Sequence, residues 1–245
     1  MNYNQLEKLT YTELKKISEE LGIKPTRSKE ETLKSITNAF KEYESYKKSK
    51  IDSYIKITQL GMKGKEGTTY LVKNKDTAEE YAMKTFRKQK SSEKLRQEAK
   101  LQQIASEKGV SPNIIDIDTV SKYIVMDKMD KHLTDIIQKQ EGSLSKAHQK
   151  QIINIYKNLD NAGVFHGDAN LLNYMFKGRQ LYIIDFGMAK DITNELVRKL
   201  GTTTPNLHIM TLGLILKLKE MNCPSSSYEY LAKFISDDQR EKFCI

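Results

Sequence analysis

The chain has 245 residues, 38% hydrophobic and 30% charged, with four prolines and twelve glycines, a soluble globular profile with little room for disordered tracts. Its formal charge of +9, from 41 basic and 32 acidic residues, favours anionic partners such as nucleic acid, acidic proteins or phosphates. No window approaches about eighteen apolar residues, MNYNQLEKL lacks the build of a signal peptide, and Cys223 and Cys244 form neither a disulfide framework nor a metal motif, so an intracellular chain without a membrane partner is expected.

Leu6, Leu9, Leu14, Ile17 and Leu21 recur at helical spacing, and Gly22 reads as the stop of that helix. Ile23 to Ser28 is a short connector. Ser28 followed by Glu31 predicts a capping box for a second helix carrying Leu33, Ile36, Ala39 and Phe40. The polar stretch from Lys41 to Lys50 either extends that helix or links the hairpin to the next domain. The run LTYTELKKISEELGI at 9–23, then KPTRSK and EETLKSI, resembles a SAP domain, a helix–extended–helix module of DNA-associated proteins. The resemblance implies contact with duplex DNA or chromatin through Lys24, Arg27, Ser28 and Lys29, since basic side chains and helix-start amides suit phosphates. The alternative is a plain docking or packing hairpin.

From Tyr54 the pattern alternates, and Tyr54–Leu60, Thr68–Val72 and Tyr81–Phe86 read as strands. A charged helix around Glu93–Ala105 comes next, then strands near Ile114–Asp118 and Tyr123–Met126. Beyond Lys131 the chain is mainly helical, clearest at Leu133–Lys139, His148–Ala162 and Leu207–Met221. A short strand pair carrying His166–Asn173 and Leu181–Gly187 interrupts it.

Several motifs carry chemistry. Gly61, Gly64 and Gly67 lie in a turn between two strands, where glycine lets the backbone approach phosphates. No Gly-Lys-Ser/Thr closes this turn, so it is not a Walker A loop. Lys84 sits within an apolar strand, and a buried ammonium needs an anion or loses its proton. Glu98, on the next helix, is the expected partner, with Glu93 in the poorer register. His166-Gly167-Asp168 with Asn173, followed by Ile183-Ile184-Asp185-Phe186-Gly187, sets two carboxylates and an amide near one another. Such oxygens suit the hard cation Mg²⁺ at Asn173 and Asp185, leaving Asp168 to accept a hydroxyl proton.

In this order the motifs resemble the protein-kinase superfamily. The resemblance implies an α+β, two-lobed fold preceded by a small helical hairpin: hairpin 1–45, linker 46–53 and kinase-like domain 54–245. Within the domain the N-lobe would cover 54–126, the hinge 127–129 and the C-lobe 130–245. It implies ATP and Mg²⁺ as cofactors, with Lys84 on the phosphates, Glu98 as its partner, Asp168 as base, and Asn173 and Asp185 as metal ligands. Val72 and Ala82 would sandwich the adenine, Met126 would be the gatekeeper, and Asp127 and Met129 would meet the base through their backbones. His166 would support the catalytic loop.

Some features depart from the family. Gly167 replaces the common arginine that receives an activation-loop phosphate, and Asn170 stands where lysine is frequent. His-Gly-Asp is similar to RIO kinases, the small kinase of the KEOPS complex, and aminoglycoside or choline kinases, whereas LYIIDFGMAK at 181–190 favours the protein-kinase side. No Ala-Pro-Glu element appears, so the C-lobe reads as trimmed. Gln102 falls where a hydrophobic residue normally bridges the lobes, and the Gly61–Gly64 spacing is one residue longer than usual. The composition also resembles kinase-like proteins of large DNA viruses, which implies the nucleus, a viral factory or a virion as location. The expected activity is a serine/threonine protein kinase associated with DNA or nucleoprotein. Alternatives are a kinase-like ATPase or assembly factor, a small-molecule kinase and a non-catalytic scaffold.

Overall fold

The computed structural model describes the backbone of residues 3–51, 53–61, 64 and 66–245, and side chains of the same residues apart from 3, 4 and 41–51. The chain divides into two compact units, residues 1–55 and 56–245.

In the first unit the helix expected from Leu6 to Leu21 is two helices, α1 (Tyr3–Glu7) and α2 (Tyr11–Glu20). Thr10 breaks it. The Thr10 hydroxyl accepts from the Glu13 amide, and the Glu13 carboxylate accepts from the Thr10 amide at 2.7 Å. This reciprocal box starts a new helix in the middle of the apolar repeat. Helix α3 (Lys29–Ile51) comes next, with Ser28 Oγ accepting from the Glu31 amide at 3.2 Å. It takes in the polar stretch 41–50, so residues 46–51 of the expected linker are helical; Asp52 lies outside the described residues. Leu6, Leu14, Leu33 and Ile36 form the core of this unit, with Leu9, Ile17, Ile23 and Phe40 packed on it. Leu21, expected on the same face, is exposed.

From Tyr54 the chain forms strands β1 (Tyr54–Leu60), β2 (Gly67–Asn74) and β3 (Glu80–Phe86), helix α4 (Ser92–Glu107), then β4 (Ile114–Asp118) and β5 (Tyr123–Asp127). The strands form one sheet in the order β1-β2-β3-β5-β4. The β2–β3 turn is built by Asn74, whose side-chain oxygen accepts from the amides of Asp76 and Thr77. Ser91 caps α4 by accepting from the Lys94 amide at 3.2 Å. Strand side chains alternate between faces. Ala82, Phe86, Ile124 and Met126 therefore share one face, and Leu95 and Ala99 of α4 cover it. Gly67 is obligatory at the start of β2, because a Cβ there would lie 2.0 Å from the Thr85 carbonyl oxygen.

The rest is β6 (Lys131–His132), α5 (Leu133–Lys139), α6 (Lys146–Asn161), β7 (Val164–Phe165), β8 (Tyr174–Lys177), β9 (Gln180–Ile183), β10 (Lys190–Asp191), α7 (Asn194–Leu200), α8 (Thr211–Glu220) and α9 (Asp237–Phe243). Helix α6 buries Ile152, Ile155, Tyr156 and Leu159 at helical spacing among Tyr174, Ile183, Phe186, Leu214 and Leu218. The expected strand pair is arranged differently. His166–Asn173 is a loop ending in a tight turn at Leu171–Asn173; the hairpin is β8–β9, and β7 pairs with β10. This loop stays irregular because its side chains bond its own backbone, as at Asn170 Oδ1, which accepts from the Leu172 amide at 3.0 Å.

The helix expected over Leu207–Met221 opens with a wide π-turn, Asn206–Met210, before α8. The cause is Asn206, which is fully buried. Its amide group donates to Asp160 and to the Val164 carbonyl, both at 2.7 Å, and its oxygen accepts from the His166 amide at 3.0 Å. Among the described residues no helix is long and apolar enough to cross a membrane.

Candidate active site

The site grows from the exposed ends of these elements. Lys84 pairs with Ile124 in the sheet, so its side chain leaves β3 on the face that α4 covers. Its ammonium lies 2.7 Å from Glu98 and 2.8 Å from Asp185. The Glu98 side chain is only 2% exposed, and its other oxygen accepts from Lys90 at 2.7 Å. Lys90 in turn reaches Glu66, on the glycine-rich turn, at 2.8 Å. The two ammoniums stand over the Phe86 ring, 5.0 and 5.1 Å from its centroid. Burial works against the charge on Lys84, but Glu98 and Asp185 outweigh it and leave its pKa raised. Burial likewise pushes Asp185 up, and Lys84, with the Gly187 amide and His166, more than reverses that.

Asp185 comes directly after β9 and Ile184, in the left-handed region at φ 66°, which turns its carboxylate back to accept from the Gly187 amide. His166 is fully buried, with Nε2 3.1 Å from the Ile184 carbonyl and its ring edge-on to Phe186 at 5.0 Å. Burial lowers its pKa, only partly offset by the Ile184 carbonyl and by Asp168 and Asp185. His166 is thus a neutral strut between the two carboxylate loops. Asp168 accepts from the Asn170 amide at 3.1 Å and from Asn173 Nδ2 at 2.8 Å. Gly167 stands at φ +78°, and a Cβ there would sit 3.2 Å from the Met188 carbonyl oxygen.

The Asp-Phe-Gly turn and the His-Gly-Asp loop are therefore fastened through one histidine, opposite a lysine paired with a helix carboxylate. Residues 54–206 match the protein kinase domain family. The chain belongs to the protein kinase family. A relative is calcium-dependent protein kinase 2 of Arabidopsis thaliana, 29% identical over 175 residues. The match takes in 64% of this chain, which spans about a quarter (27%) of that kinase's length.

Within this kinase domain the strand residues expected to sandwich a base need one correction. Ala82 pairs with Leu71 and Met126, and Lys84 with Thr69, so these side chains point to one face. Val72 pairs with Tyr81, the neighbour of Ala82, and its buried side chain points to the other face. Val72 cannot sandwich a base with Ala82; Thr69 and Leu71 hold the Lys84 face of β2. Asp127 is the last residue of β5, and its amide donates to the Asn113 carbonyl at 3.0 Å. Met129 is half-buried beyond it. Gln102 is buried, with Nε2 3.2 Å from the Pro112 carbonyl and 3.5 Å from the Met126 sulfur.

In the glycine-rich turn, Gly64 donates to the Gly67 carbonyl at 2.9 Å and Gly61 has φ +67°. Met62, Lys63 and Lys65 lie outside the described residues. A group of three carboxylates, from Glu66, Glu98 and Asp185, brings one oxygen each to within 4.8 Å of the others. Sequence reasoning missed Glu66, Lys90 and Asn206. The first two lie in polar, charge-rich stretches with no distinguishing pattern, and only the fold puts them beside Glu98. In the first unit Lys24, Arg27 and Lys29 are exposed and Ser28 is half-buried, with Lys29 Nζ 3.2 Å from the Glu7 carbonyl.

Proposed function

We propose that the chain is an ATP- and Mg²⁺-dependent phosphotransferase that modifies serine or threonine in a protein. The observation that carries this reading is the Glu98–Lys84–Asp185 chain of ion pairs beside the Asp168–Asn173 pair. Lys84 holds the nucleotide phosphates, with Glu98 fixing its position. The Asp168 carboxylate, steered by Asn173 and the Asn170 amide, accepts the proton as a hydroxyl oxygen attacks the γ-phosphorus and the bond to the β-bridging oxygen breaks. Asn173 and Asp185 offer the oxygen donors that a Mg²⁺ ion requires, and Asp185 is kept ionised by Lys84. That ion supplies charge neutralisation on the phosphates. Ala82 and Met126 form the apolar bed of the base, with Asp127 and Met129 at its edge.

Incubation with γ-labelled ATP and Mg²⁺, with casein or histone as acceptor, tests the reading. Asp168→Asn is expected to lower protein labelling by about 10²- to 10⁴-fold. Phosphate release without labelled protein supports the ATPase alternative instead, labelling of a small hydroxylic compound supports a small-molecule kinase, and no nucleotide turnover supports a scaffold. His-Gly-Asp, Asn170 and the absence of Ala-Pro-Glu favour an atypical type akin to the RIO, KEOPS and viral kinases.

For the first unit we propose association with duplex DNA, on the basic residues Lys24, Arg27 and Lys29 around the start of α3. A mobility shift of duplex DNA at low salt, reduced by Lys24→Ala with Arg27→Ala and Lys29→Ala, is the expected result. An unchanged shift, or none, sinks it.

A further inference from the structure

Lys90 is the unexpected member of the site. It lies just before the Ser91 cap of α4, and its side chain is only 8% exposed. One buried carboxylate, Glu98, holds Lys84 on one oxygen and Lys90 on the other, so the two ammoniums are presented side by side. The other partner of Lys90, Glu66, is of a different kind: its side chain is 47% exposed. The Glu66 carbonyl accepts from the Arg87 amide at 2.9 Å, so its backbone is pinned to the end of β3 while the side chain reaches inward. Its carboxylate comes so close to the Asp-Phe-Gly turn that a Cβ on Gly187 would be 2.8 Å from Glu66 Oε2. The same carboxylate lies within 4.8 Å of an Asp185 oxygen.

We propose that Lys90 is a second phosphate-binding cation beside Lys84, and that the Glu66 carboxylate competes with a nucleotide phosphate for it. The proposal rests on the nucleotide site proposed above. Three carboxylates facing two ammoniums leave the cluster one negative charge in excess, the wrong sign for a polyphosphate. Rotation of Glu66 into solvent removes that excess without moving the backbone, and such rotations are fast for exposed side chains. A phosphate oxygen then takes its place on Lys90 through a charge-assisted hydrogen bond. Burial works to lower the Lys90 pKa, but the bonds and charges of Glu66 and Glu98 outweigh it and leave the pKa raised.

The test is a titration of the full chain with ATP and with adenosine, by calorimetry, for the unaltered protein, Lys90→Met, Lys90→Arg and Glu66→Gln. Lys90→Met is expected to weaken ATP by about tenfold or more and to leave adenosine unchanged, and Lys90→Arg to recover most of the loss. Glu66→Gln is expected to tighten ATP several-fold, about three- to tenfold, again without effect on adenosine. ATP binding unchanged in Lys90→Met, or weakened equally for adenosine, overturns the proposal. So does weaker ATP binding in Glu66→Gln, which would make Glu66 a loop anchor or a metal ligand. If Lys90→Met does not fold, Glu66→Gln decides alone, and an unaltered ATP affinity in it is fatal. Failure of the unaltered protein to bind ATP removes the nucleotide site itself, and is thereby distinguished from failure of this inference.

Discussion

The Lys84 ammonium reaches the Asp185 carboxylate at 2.8 Å across 101 positions of sequence, tying the five-stranded sheet to the turn after β9. The same ammonium is held by Glu98, and the consequences of cutting these bonds differ. Lys84→Met leaves Glu98 paired with Lys90, so stability falls little while phosphoryl transfer falls by about 10²-fold or more. Glu98→Ala removes the buried carboxylate that both ammoniums share and leaves Lys84 only the half-exposed Asp185 and Lys90 only the half-exposed Glu66, so it is expected to destabilise more, by about 1–3 kcal/mol. Chemical denaturation of the two variants alongside the labelling assay separates the effects. Equal destabilisation would contradict the bridging role of Glu98.

Asn206 supports the catalytic loop from behind. Asn206→Ala removes donors to the partly buried Asp160 and to Val164, and the acceptor of the His166 amide, the last two bonds being buried. Each buried group left unpaired costs about 1–3 kcal/mol. The variant is expected to lose at least about 2 kcal/mol in urea unfolding. Labelling activity at a temperature where it remains folded should drop through kcat with little change in KM for ATP, because His166 and Asp168 lose their support.

Acid should weaken the domain in a defined window. His148 stacks edge-on against Phe176 at 5.1 Å, its Nδ1 buried without a hydrogen-bond partner. Burial, and then Lys131, lower its pKa from 6.5. A depressed folded-state value means that the stabilising contribution is complete above 6.5 and is lost as pH falls through the lowered value. His166 acts in the same direction. The melting temperature is expected to fall between about pH 7 and about pH 5, and His148→Gln to make that fall shallower. A slope unaltered by the substitution would exclude His148 as a contributor.

Much of the site was legible because its residues belong to local patterns. Lys84 sits inside an apolar strand run, Asp185 ends another, and Asp168 and Asn173 share one short loop. Adjacency in space could not be read the same way. Lys90 and Glu66 look like ordinary surface charges until the β2 turn folds back on the start of α4. Val72 goes to the wrong face in the sequence reading because a strand pattern gives alternation but not which set faces the nucleotide, and only the pairing of Thr69 with Lys84 fixes that. Likewise the apolar repeat of the first unit runs through Thr10, whose bond to Glu13 outweighs the continuity of the leucines.

The glycines make the last prediction, since two of them are required for different reasons. At Gly67 the obstacle is contact: a Cβ would stand 2.0 Å from the Thr85 carbonyl oxygen, a backbone atom that cannot yield without breaking the β2–β3 ladder. At Gly167 the obstacle is mainly conformational, because φ +78° strains any L side chain, with the Met188 carbonyl 3.2 Å from the added atom. Gly167→Ala is expected to cost about 1–3 kcal/mol and to leave a folded protein. Gly67→Ala is expected to cost more and to displace the glycine-rich turn, so that ATP binds more weakly even where the protein is folded. The same strain opposes the arginine that other kinases place at position 167, so Gly167→Arg should not restore control by a phosphate on the segment after Gly187. Denaturation midpoints and ATP titrations for the three variants check the order. A Gly67→Ala protein as stable as Gly167→Ala would mean that the strand edge gives way more easily than its contacts imply.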